Sequence, residues 1–113
     1  MAQYVVRAGI AQPRSLLDGT ADHRLFRGLY GFSVQSAPGV TVEALARAGR
    51  FPHPQISVTT VELLHDHGFA VVFPTPGKGA YHATVRVPRP LSLANATLLS
   101  SLFTRRHNPY SET

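Results

Sequence analysis

Cysteine is missing from this sequence altogether. Its absence excludes disulfide bonds, thiolate nucleophiles and cysteine-ligated zinc, and it fits a reducing compartment. Long hydrophobic runs are missing too. No apolar stretch approaches the ~18–20 residues that a membrane span requires, so no membrane partner is expected. The opening residues, Met1-Ala2-Gln3-Tyr4-Val5-Val6, lack the basic region and apolar core of a secretory signal. A cytoplasmic location is the resulting expectation, with delivery inside a larger polypeptide as the alternative. Neither an internal repeat nor a low-complexity tract is present. Acidic residues are scarce: six Asp and Glu face eleven Lys and Arg, giving a net charge of +5. Such a field attracts polyanions, nucleic acid above all. Lys78 is the single lysine among these cations, and an arginine bias of this kind also follows from GC-rich coding.

What remains suits one folded unit. A chain of 113 residues with 43% apolar content carries one core and not two, so residues 1–113 form a single domain. Tyr4 to Ala8 reads as a short strand, and the stretch from Gln12 to Arg27 as a polar loop with room for a turn of helix, marked by Pro13, Asp18, Gly19 and Asp22. Tyr30 to Ser36 alternates as a half-buried strand does. Thr41 can cap a helix over Val42 to Ala48, with Gly49 closing it. Gln55 to Thr59 follows as a strand beyond the surface crossing Arg50-Phe51-Pro52-His53-Pro54. Thr59 and Glu62 have capping-box spacing for a second helix running to Gly68. Phe69 to Phe73 has no polar face and reads as a strand covered on both sides. After the turn-rich Pro74 to Gly79, Tyr81 to Val87 alternates cleanly. Ser92 then caps a helix from Leu93 to Phe103, with Ala94, Leu98, Leu102, Leu99 and Phe103 as its buried stripe. Arg105, Arg106 and His107 suit its C-terminal end. The order ββαβαββα predicts an α+β domain, a twisted, mainly antiparallel sheet of about five strands with helices on one face.

Strand periodicity places His82, Thr84 and Arg86 on one face, with successive side chains ~7 Å apart. An imidazole, a hydroxyl and a guanidinium at that spacing can reach one phosphodiester. His53 lies just before the strand that carries Ser57 and Thr59. Metal-free RNA cleavage needs a base for the ribose 2′-hydroxyl, an acid for the leaving oxygen, and a cation for the phosphorane. Histidine suits both proton roles near neutral pH, and arginine or lysine the third. His82 and His53 are therefore the candidate proton-transfer groups, Arg86 and Lys78 the phosphate contacts, and Tyr81 a base-stacking ring. Polar residues alternating along a water-facing strand account for the same pattern without any site. His65-Asp66-His67 does not make a metal site, because helical residues two apart point to different faces. No metal and no cofactor are expected for cleavage.

The run Gly79-Ala80-Tyr81-His82-Ala83-Thr84-Val85, preceded by Lys78, resembles the catalytic domains of bacterial ribonuclease toxins. The resemblance covers the last third of the chain. It implies a metal-independent hydrolase acting on RNA, with Lys78, His82, Thr84 and Arg86 at the matching positions. It also implies an acidic antitoxin or immunity protein as partner. A second likeness, over the first sixty residues, is to ADP-ribosyltransferases. Tyr4-Val5-Val6-Arg7-Ala8-Gly9 is similar to their arginine-bearing first strand. Ile56-Ser57-Val58-Thr59-Thr60 is similar to their serine-threonine-serine strand. That likeness implies Arg7 on the phosphates of NAD and Ser57 as a buttress of the nicotinamide pocket. The activating glutamate of that family has no matching position here, since Glu62 and Glu112 are the only glutamates after Ser57. A degenerate NAD-binding domain would follow. A non-catalytic module that docks an acidic protein on its basic face is the third expectation.

Overall fold

The computed structural model describes residues 3–17, 31–49, 53–73, 81–87 and 91–108. Strands β1 (Tyr4–Ala8), β2 (Gly31–Ser36), β3 (Gln55–Thr60), β4 (Ala70–Val72), β5 (His82–Arg86) and β6 (Thr104–His107) form one sheet. Helices α1 (Val42–Gly49), α2 (Val61–Asp66) and α3 (Leu93–Leu102) join them. Residues 13–17 are also helical, a turn of helix within the stretch read from sequence as a polar loop with room for one. The six strands lie in the order β4-β5-β2-β1-β3-β6, and every neighbouring pair is antiparallel. The α+β architecture therefore holds, with one strand more than expected at its end. Among the described residues, no helix is long and apolar enough to cross a membrane.

Alternation along β1 divides the core. Val5 and Val6 are both fully buried, yet neighbours in a strand point to opposite faces. Val5 packs in a cluster with Phe32, Val34, Ala83, Val85, and with Leu64 of α2 and Ala96 and Leu99 of α3. Val6 packs with Ile56, Val58, and with Val42, Leu45 and Ala46 of α1. Both faces of the sheet are thus covered. The expectation that all helices lie on one face is therefore corrected: α2 and α3 share one face, and α1 takes the other. Each fully buried large aliphatic side chain contributes about 1.5–3 kcal/mol, so neither layer is dispensable.

The remaining differences have local causes. Helix α2 is capped one residue later than the sequence pattern suggests. The Thr60 hydroxyl accepts from the Leu63 N–H, while Thr59 is buried in the strand opposite Val5. Glu62 instead accepts the Gln3 N–H at 3.1 Å, tying α2 to the start of β1. Strand β4 is short, lies at the sheet edge and is only partly buried, so it is not the doubly covered strand its composition suggested. The apolar run there is completed by Phe69 and Phe73, which flank the strand and pack into the core. In α3 the buried pair is Ala96 and Leu99; Leu98, Leu102 and Phe103 pack against the core as expected, while Ala94 is exposed and leaves the stripe. The helix ends at Leu102 because Phe103 turns extended (φ −95°, ψ 143°) to pack on Phe32, ring centroids 6.3 Å apart. Arg105, Arg106 and His107 consequently run along β3 as a strand and not as a helix terminus.

Candidate functional site

The β1–β2 ladder holds only at Val5–Ser36 and Val6–Gln35. Arg7 is the next residue along β1, and its guanidinium spans the place where the pairing stops. Nη1 donates to the Ser33 carbonyl at 2.7 Å and Nη2 to the Ser15 carbonyl at 3.4 Å. Its Cζ lies 5.0 Å from the centroid of the Phe32 ring, a cation–π contact. Burial pushes the Arg7 pKa below the usual guanidinium range, yet a guanidinium remains cationic at physiological pH. No carboxylate among the described residues pairs with it. Arg7, Ala8, Ser33, Val34, Gln35 and His53 line a cleft of about 340 Å³ at this point.

His53 is exposed at the rim of the cleft, and its backbone is held firmly. Asn108, fully buried, donates from Nδ2 to the His53 carbonyl at 2.8 Å and from its N–H to the Pro54 carbonyl at 2.9 Å. The imidazole lies over Gly9, where a Cβ would stand 3.4 Å from its Cδ2. Gly9 has φ +71°, a conformation that glycine adopts without cost. Beyond His53 is a second cavity of about 320 Å³, lined by Gly9, Ile10, Gln12, His53, Pro54 and Gln55. The imidazole is therefore a wall shared by both.

Ser57 stands directly opposite Arg7 in the β1–β3 ladder. Its hydroxyl donates to the Gly9 carbonyl at 2.8 Å and accepts from the Ala11 N–H at 2.7 Å. Ser100 of α3 donates to the Ala11 carbonyl at 2.6 Å. The turn that leaves β1 is thus pinned over Ser57, and the serine shapes the site without facing it.

His82, Thr84 and Arg86 do share one sheet face, opposite Gln35, Ser33 and Gly31 respectively. They do not form the open basic row that the strand pattern suggested. Thr84 is fully buried, His82 partly so, and only Arg86 is exposed. A hydroxyl with no accessible surface cannot touch a phosphodiester, which removes Thr84 from any contact role. The Tyr81 side chain packs against the α1 core cluster and is only partly accessible, which disfavours stacking on a base. His82 is not among the residues lining the Arg7 cleft, although its ladder partner Gln35 is. Lys78 and the connector 74–79, like Glu112 and the crossing at 50–52, lie outside the described residues. No family model, curated protein or solved structure matches the chain.

Sequence reading missed Gln35, Gly9 and Asn108. Gly9, ending a strand just beyond an arginine, was a signal for close backbone approach. Nothing in the sequence pattern marks Asn108, and only its burial exposes its role.

Proposed function

We propose that the chain binds a dinucleotide of the NAD type, with Arg7 on its phosphates, as an ADP-ribosyltransferase-like domain without the activating glutamate. One observation carries this reading: Arg7 lies in the cleft where β1 and β2 stop pairing, in register with Ser57 on the next strand. A guanidinium offers five N–H donors, and two carbonyl bonds leave others for an anion. A partly desolvated cation attracts phosphate more strongly than a fully solvated one does. The two described glutamates on helices are engaged elsewhere, Glu43 with Arg106 at 3.7 Å and Glu62 with the Gln3 N–H. Binding without group transfer is therefore the activity put forward. Calorimetric titration with NAD and with ADP-ribose tests it. Saturable binding is expected, weakened about 10- to 100-fold in Arg7→Gln, the scale of one lost charge-assisted contact. No binding up to millimolar NAD, or equal binding by the variant, would sink the proposal.

A second reading, metal-independent RNA cleavage by a toxin-like domain, is favoured by His53, which shares the cleft with Arg7. In that reading His53 moves a proton while Arg7 steadies the phosphorane. Its mark is RNA cleavage in EDTA that leaves a cyclic phosphate. His53→Ala should then lose at least ~100-fold in rate. If His53→Ala cuts as the parent protein does, the second reading fails.

A further inference from the structure

Strand β6 ends the sheet, and all four of its residues are exposed. The Asn108 N–H bonds to the Pro54 carbonyl, which continues the β3–β6 register by one position. Antiparallel pairs alternate between bonded and non-bonded, so Arg106 and Thr104 direct their backbone groups toward β3. Arg105 lies between them, and its N–H and C=O point away from β3. Among the described residues, no strand pairs with that outer edge. Edges of this kind recruit extended chains unless something forbids it.

The charge on the edge decides which chain. Arg105 and Arg106 project to opposite faces of the sheet, one in the row of Ser57 and the other in the row of Ile56. A second copy of this chain adding through the same edge would set arginine against arginine, and like charges directly opposite destabilise a pair. An acidic chain gains on both faces at once. The only carboxylate that the described residues supply there is Glu43, 3.7 Å from Arg106 across an exposed gap. We propose that the outer edge of β6 receives an extended acidic segment of another protein as an additional strand. Two adjacent carboxylates in that segment would meet Arg105 and Arg106 on the two faces. The inference is independent of what the Arg7 cleft binds.

A ten-residue peptide of alternating threonine and valine around two central glutamates is a suitable probe for the intact protein. Three results are expected. Binding should saturate and weaken at high salt. Hydrogen exchange at the Arg105 amide should slow by at least tenfold. A peptide with two lysines in place of the glutamates should bind at least tenfold more weakly. An N-methylated peptide of the same charge, which cannot donate the strand bonds, should also fail. Equal binding by the N-methylated or the lysine peptide overturns the inference, and so does binding that leaves the Arg105 amide unprotected. A short RNA that protects that amide as well as the acidic peptide overturns the choice of a protein partner. Because these arms use the unaltered protein, they do not depend on variants that fold poorly; Arg105→Glu, checked by circular dichroism, should lose tenfold or more.

Discussion

Across the β1–β3 ladder, Arg7 stands opposite Ser57 on the same sheet face, and Arg105 continues that row on β6. The two outer positions are cationic and the middle one is a buried hydroxyl spent on the turn at residues 9–11. Arg7 is therefore held from both sides: by Ser33 and Ser15 carbonyls, and by a turn that Ser57 fixes beneath it. The guanidinium has a structural part as well as any binding part, and the two can be separated. Arg7→Lys keeps the charge but not the planar fork. It should retain weak anion binding and lose about 1–3 kcal/mol of stability, since one carbonyl is left without its donor. Denaturant unfolding and an anion titration on the same sample measure both. Because arginine stays protonated through neutral pH, neither quantity should change with pH through this group.

Ser57 predicts a different outcome. Ser57→Ala removes an acceptor from the buried Ala11 N–H and a donor from the Gly9 carbonyl. The cost should be about 1–3 kcal/mol, seen as a lower unfolding midpoint. Ser100→Ala strips the Ala11 carbonyl of its partner from the other side. Both serines secure the same peptide segment, so the two losses should be coupled by about 0.5–3 kcal/mol in a double-mutant cycle. Simple additivity would show that the turn is held by other means.

The architecture could be read from the chain because its strands announce themselves by alternation, and five of the six lie close to where the pattern put them. β6 could not be read that way. Thr104-Arg105-Arg106-His107 is wholly exposed, so burial imposes no period on it, and only Phe103 packing on Phe32 sends it along β3. The candidate site divides in the same manner. Arg7 and Ser57 were singled out through a family likeness on two separate strands, and the ladder sets them side by side. His82, Thr84 and Arg86 were also placed correctly on one face, but alternation says nothing of what covers that face. Thr84 is fully buried on that face, a tertiary fact that local pattern does not carry.

Asn108 should govern the position of His53. Asn108→Ala leaves the His53 carbonyl without its donor in a partly buried place, while the Pro54 backbone bond can persist. A loss of about 1–3 kcal/mol is expected. Chemical shifts of the His53 ring and of Gly9 beneath it should move, and those of α1 should not. Whichever ligand the cleft takes, its affinity should fall in this variant although Asn108 never touches it. Unchanged His53 shifts would sever the link between the two residues.

Gly31 gives the sharpest test of the sheet itself. It stands opposite Arg86 where β2 enters the ladder with β5. A Cβ at this glycine would collide with the Val85 carbonyl oxygen and come within 2.9 Å of Thr84 Cγ2. The Val85 carbonyl is backbone and cannot rotate aside, so Gly31→Ala must push the strands apart. Overpacking of this kind costs about 1–3 kcal/mol or more, and here the clash meets a central ladder. Gly39→Ala makes the contrast. A Cβ there meets no atom within 4 Å, and only its φ of +73° opposes the change. Its penalty should be that of left-handed backbone alone, about 1–2 kcal/mol. Melting curves should therefore rank Gly31→Ala well below Gly39→Ala, with slowed exchange lost first at the β2 and β5 amides. The opposite ranking would mean that β2 and β5 are not paired in this register.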